Sequence, residues 1–140
     1  MNKLAIAQAF SNGEFAKCYP YISDSTFWNT PGQQYLSGRN AILEFCEKVM
    51  DYFNAVEKNF YIHQTIENET SVSINGTAEF FNNKKLVSRI SSCDVYEFNS
   101  QNQLISIYSY CISENENIKP HSMEVLYKTG FSSMIATLVF

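Results

Sequence analysis

The sequence predicts an α+β domain, a cone-shaped barrel of a curved, mostly antiparallel sheet wrapped around N-terminal helices. Three observations predict it. The long helical periodicity falls before about Glu57, with only a short helix possible later, at Met123 to Tyr127. From Phe60 to Ser113 the period becomes two, broken only by short polar turns. Between Asn12 and Ile42, breakers and short segments alternate quickly, as a chain must when it turns repeatedly to wall off an interior.

In chain order, Leu4 to Phe10 has helical composition, with Asn2 placed to cap it, and Asn12-Gly13 ends it. Glu14 to Ile22 resumes a helix. Phe15, Cys18, Tyr19 and Ile22 fall at helical spacing, and Pro20 weakens its end. Thr26 to Thr30 is β-branched and aromatic and reads as a strand, with Pro31-Gly32 as the turn to a second short strand. The long helix runs from Asn40 to about Glu57, capped by Ser37 or Asn40. Ile42, Phe45, Val49, Phe53 and Val56 line its buried face. Four strands follow: Phe60 to Glu67, Ser71 to Phe81, Val87 to Asn99 and Leu104 to Ser113. Asn82 to Lys85 and Asn99 to Asn102 have the composition of hairpin turns. Val72, Ile74, Ala78 and Phe80 share one face of their strand.

A chain of 140 residues makes one domain with one core. The division expected is residues 1–113 as the domain and 114–140 as an apolar extension packing on it or on a partner subunit. Phe131 to Phe140 is apolar but only about half the length of a membrane span. A net charge of −4, with no basic cluster longer than Lys84-Lys85, argues against nucleic acid and acidic membranes. The four cysteines form no C-x-x-C pair, and the apolar run at the start is short for a signal peptide. Free, buried thiols and a cytoplasmic location are therefore expected. His63 has no companion at a metal-site spacing, so no metal is expected, and no cofactor is implied.

Asn12-Gly13-Glu14, Asp24 to Trp28, Pro31-Gly32, Gly38 to Ile42, and Asp94 to Phe98 followed by Leu104 to Tyr110 occur in an order that resembles the nuclear-transport-factor-2-like superfamily. That superfamily includes SnoaL-like polyketide cyclases and ketosteroid isomerases. The resemblance covers roughly residues 3 to 113, and its specificity lies in the order of the motifs. It implies a cone-shaped α+β barrel, a cystatin-like cone with a ligand pocket, dimerising through the outer face of its sheet. Fold alone does not choose between enzyme and binding module. By resemblance to ketosteroid isomerases, Asp94 stands where a protonated acid donates a hydrogen bond to a developing oxyanion. The position of the general base carries Thr30, which does not ionise near neutrality, and the position of the oxyanion-hole tyrosine carries Ile6. This chain is therefore not expected to be a ketosteroid isomerase. No carboxylate stands in Tyr108 to Ser113, where related cyclising and hydrolytic members place an acid.

Strand alternation sends Ser92 and Tyr96 the same way as Asp94. Resemblance puts Ile107, Ser109 and Cys111 on the cone lining, with Tyr108 and Tyr110 outside. The candidate catalytic residues are Asp94, as acid or hydrogen-bond donor, and His63, as base. Each has a structural alternative: a carboxylate tied to neighbouring groups, and a hydrogen-bonded core histidine. The candidate ligand-binding residues are Trp28, Thr30, Phe45, Phe53, Tyr96, Ile107 and Cys111. Arg39 is expected to be solvated in the first turn of the long helix, and Arg89 to pair with Glu79 across strands. Two functions are open. One is a small-molecule binding protein for a small hydrophobic ligand, with isomerase- or cyclase-type activity left uncertain. The other is a non-catalytic, homodimeric interaction module with a filled cone.

Overall fold

A computed structural model of the protein describes residues 1–114. The expected extension, from residue 115 onward, lies outside the described residues. Helix α1 spans Lys3–Ser11, with the Asn2 side chain accepting the Ala5 N–H, as the sequence predicts. The segment expected as a second α-helix is a 3₁₀ helix, Phe15–Tyr21, with Pro20 inside it. Proline removes a donor, and a seven-residue piece is too short to propagate an α-helix. Strand β1 is Ile22–Thr30, β2 is Gln34–Ser37, and helix α2 is Arg39–Ala55.

Two details of α2 differ from expectation. Its N-cap is Gly38, with φ of 90°, and no side chain caps it, because Ser37 is committed to pairing with Phe27 in β2. Arg39 is not solvated. Its guanidinium donates to the carbonyls of Tyr19 and Ile22, at 2.8 Å for the latter, and so ties the 3₁₀ helix and β1 to the start of α2.

Strands β3 (Glu57–Glu67), β4 (Ser71–Asn82), β5 (Lys85–Phe98) and β6 (Leu104–Ser113) form the predicted meander. Asn83 and Lys84 both have positive φ, and Asn82 pairs with Lys85, the geometry of a type I′ hairpin. The Asn99 side chain accepts the N–H groups of Gln101 and Gln103 and shapes the second hairpin. The sheet order is β2-β1-β6-β5-β4-β3, antiparallel except for the parallel β1–β6 pair. The sheet is open, with β2 and β3 at its edges, so the curved surface is a cone wall and not a closed barrel.

The helices fill the concave side. Ile42, Phe45, Val49 and Phe53 are buried as predicted, whereas Val56 ends α2 as its C-cap and is only half-buried. Val72, Ile74, Ala78 and Phe80 are buried on one face of β4. Arg89 meets Glu79 at 2.6 Å across β5 and β4, on the opposite, outer face. Cys18 and Cys46 are buried, whereas Cys93 and Cys111 are half-buried.

Candidate functional site

The concave face of the sheet carries one carboxylate among rings. Asp94 sits mid-strand in β5, paired with Ile74 of β4 and Ser109 of β6, and is 1% exposed. Alternation turns Ser92, Asp94 and Tyr96 inward together, as expected. Ser109 Oγ donates to Asp94 Oδ1 at 2.6 Å. Ser11 Oγ, from the last turn of α1, donates to Oδ2 at 3.1 Å, and Tyr96 Oη reaches the same oxygen at 3.4 Å. Ser11 Oγ and Tyr96 Oη are 2.6 Å apart. Trp28 Nε1–H donates to Ser109 Oγ at 2.9 Å.

These bonds have a consistent direction when Asp94 is ionised. Trp28 donates to Ser109 and Ser109 to Oδ1; Tyr96 donates to Ser11 and Ser11 to Oδ2. A proton on Oδ2 reverses the second chain: the carboxyl donates to Ser11, Ser11 to Tyr96, and Tyr96 only across the longer 3.4 Å contact to Oδ2. Burial acts the other way and is the larger effect. It pushes the Asp94 carboxyl up from 3.8 to about 7, against the hydrogen bonds of Ser109, Ser11 and Tyr96, which lower it. Tyr96 is driven well above its ordinary value by burial and by the neighbouring Asp94 charge, so its hydroxyl stays protonated. Asp94 can therefore gain or lose a proton near neutrality. Oδ1 takes a single bond and retains an acceptor site, whereas Oδ2 takes two.

Around this group the rings interlock. Phe10 lies edge-on to Phe15, Trp28 and Tyr96, with centroids 4.8, 4.9 and 6.0 Å away. Phe45 is edge-on to Trp28 at 5.5 Å. Phe53 stacks on Phe15 and Phe80 at 6.1 and 5.8 Å. Of the predicted lining residues, Trp28, Thr30, Phe45, Phe53, Tyr96 and Ile107 are buried, and Cys111 is half-buried. Trp28, Tyr96 and Asp94 are brought into one network. Thr30 and Ile6 are both buried, so no carboxylate or phenol occupies the two other positions of the isomerase pattern.

His63 does not join this network. A register slip between Ile62 and Gln64 puts it at an irregularity in β3, exposed, with Nε2 2.8 Å from Thr77 Oγ1 on the outer face. Phe60 and Ile62 take the inward positions of β3, so alternation itself turns His63 outward, and no base reaches Asp94 from it. Sequence reasoning missed Ser11, whose place beside Asp94 comes from docking α1 onto the sheet. It also missed Phe10 and Phe15 as the rings that fill the space above Trp28. Among the described residues no group of three or more potential ligands could hold a metal ion, and no helix is long and apolar enough to cross a membrane.

No protein-family model matches the chain, and a search among curated proteins finds no match. Solved structures do match. An NTF2-like protein of unknown function from Cytophaga hutchinsonii ATCC 33406 is 31% identical, with 78% of this chain and 95% of that one covered and a TM-score of 0.70. The epoxide hydrolase/cyclase-like enzyme SalBIII, of pyran ring formation in salinomycin, is 15% identical over 79% of this chain and 90% of its own, with a TM-score of 0.60. A computationally designed 17-OHP binder is 10% identical over 76% and 87%, with a TM-score of 0.56. The last two likenesses concern the fold alone.

Proposed function

The chain belongs to the NTF2-like family, and from that premise we propose that its concave interior binds a small, mostly apolar molecule oriented by Asp94. The observation that carries this reading is the carboxyl itself. A fully buried acid with three hydroxyl partners and a proton affinity near neutrality is costly to keep in an apolar core. A buried hydrophobic side chain would serve the fold at least as well, so the retained acid points to a task. Two proteins of this fold handle small molecules, one as an epoxide hydrolase/cyclase-like enzyme and one as a designed 17-OHP binder. Catalysis, in this reading, would use Asp94 alone as a proton donor, since neither Thr30 nor His63 supplies a base beside it.

The test is titration with the neutral fluorescent probe N-phenyl-naphthylamine. Saturable binding to the wild-type protein is expected, with affinity changed about five-fold or more by Asp94→Asn, the range of a hydrogen bond to an ionisable group. Saturable binding indifferent to that substitution would remove Asp94 from the site.

The outer face supports a second component, a homodimer formed through the sheet. Tyr35 stacks on Phe27 at 5.5 Å, Phe27 meets Tyr108 at 5.7 Å, and Tyr108 stacks on Tyr110 at 6.4 Å. This aromatic band crosses β2, β1 and β6, and exposed Ile112 continues it along β6. Such contiguous apolar surface marks an association site. Sedimentation is expected to give a dimer for the wild type. The Tyr110→Lys, Ile112→Lys double variant should be a monomer with unchanged Trp28 fluorescence. A wild-type monomer across the micromolar range would end this part of the reading.

A further inference from the structure

We infer that the head group of the bound molecule is a neutral hydroxyl or carbonyl seated over Ser92, next to Asp94 on the inner face of β5. This inference rests on the interior being a binding site, as proposed above, and adds where the guest sits and what it carries.

Buried hydroxyls without partners support it. Ser88 is fully buried and Ser92 only 8% exposed, and among the described residues neither Oγ has a hydrogen-bond partner; nor does the Oγ of Ser113. Buried hydroxyls are nearly always paired, so an unpaired one beside Asp94 calls for an occupant. All three belong to one surface. Ser88 and Ser92 face inward from β5, together with Asp94. Ser92 pairs with Cys111 of β6, and Ile90 pairs with Ser113. Small residues, Ser92, Ser109, Cys111 and Ser113, surround Ile90 there, while Ser88 pairs with Phe80 of the ring cluster. Further along the same face, Tyr96 joins the ring cluster with Phe10, Phe15 and Trp28. Asp94 thus stands between the Trp28 and Tyr96 rings on one side and Ser92 on the other.

Charge decides the head group. Among the described residues, the inner faces of β4, β5 and β6 carry no Lys, Arg or His, so nothing there neutralises a guest carboxylate, and the Asp94 charge opposes one. A guest cation would add a second buried ion beside a carboxylate already bonded to Ser109, Ser11 and Tyr96. A neutral oxygen fits both neighbours. It accepts from Ser92 and, when it is a hydroxyl seated between the two side chains, donates to Asp94 Oδ1, two positions along the same strand face.

A matched series with one apolar frame tests this: naphthalene, naphthol, methyl naphthyl ketone, naphthoate and naphthylmethylamine, each titrated against the full-length protein by calorimetry or by Trp28 fluorescence. Naphthol and the ketone are expected to bind about three- to ten-fold tighter than naphthalene. Ser92→Ala should abolish that preference and leave naphthalene affinity unchanged, while Ser92→Thr keeps it. Because Ser92 has no partner, Ser92→Ala without ligand should melt at the same temperature as wild type or higher. A preference for the amine or for naphthoate, or a naphthol preference that survives Ser92→Ala, overturns the assignment to Ser92 and leaves the interior site standing. A lower melting temperature for ligand-free Ser92→Ala does the same, since the hydroxyl would then have a partner in the free protein. If no member of the series binds, the interior is not a site for molecules of this kind, and both readings fall.

Discussion

Asp94→Asn is expected to flatten the dependence of stability on pH between about pH 4 and pH 8. In the unfolded chain this carboxyl titrates at 3.8, and in the folded protein burial raises it to about 7. Between those values the folded state holds a proton that the unfolded chain has lost. Stability contributed by Asp94 is therefore complete below 3.8 and disappears as pH rises through 7. At about 1.4 kcal/mol per pH unit, the ceiling on this effect is on the order of 4 kcal/mol. Urea unfolding at a series of pH values measures it. The wild type should lose stability toward pH 8, whereas the Asn variant should lack this component.

Trp28 offers a second readout of the same event. It is the one tryptophan of the chain, and its indole N–H is bonded to Ser109, which donates to Asp94. Its emission should change with a midpoint near pH 7 in the wild type and not in Asp94→Asn. If stability rises from pH 5 to pH 8 and the Asn variant leaves that slope untouched, the carboxyl is not the neutral-range group described here.

Gly76→Ala is expected to be the most damaging small substitution in the sheet. A methyl at this position would sit 2.5 Å from the Tyr61 carbonyl oxygen and 3.6 Å from the Ile62 Cα. Both neighbours are backbone, so no rotamer change relieves the clash. Gly76 pairs with Ile62, and the register slips just beyond it, before Gln64. The glycine lets β3 close over β4 at the irregularity that carries His63. A loss of about 3 kcal/mol is expected, the upper end of overpacking, or a fall on the order of 10 °C in melting temperature. Ser73→Ala, on the outer face of the same strand, should cost far less. Equal melting temperatures for Gly76→Ala and the wild type would mean that β3 does not approach β4 as described.

Most elements of the fold were legible in the sequence because their signals are local. The β3 to β6 meander follows from period-two burial and asparagine-rich turns, and Leu104–Ser113 is predicted residue for residue. The long helix follows from Ile42, Phe45, Val49 and Phe53 at helical spacing. The misjudged features have non-local causes. Gly38 took the cap of α2 because Ser37 was needed in β2. Arg39 turned inward because two carbonyls from the preceding segment lie within its reach. His63 is the exception, since alternation with inward Phe60 and Ile62 already turns it to the outer side.

The site divides in the same way. Alternation along β5 set the inward direction of Ser92, Asp94 and Tyr96, and that needs only a strand. The sequence by itself determined a curved sheet over helices with one acid on its concave side, since periodicity and turn chemistry are properties of neighbouring residues. Only the tertiary structure decided what surrounds that acid. Docking α1 brings Ser11 to Asp94 across 83 positions of chain, and pairing β1 with β6 brings Trp28 to Ser109 across 81. The proton affinity of Asp94 comes from those partners and from the water that packing excludes, and neither is encoded in the residues beside it.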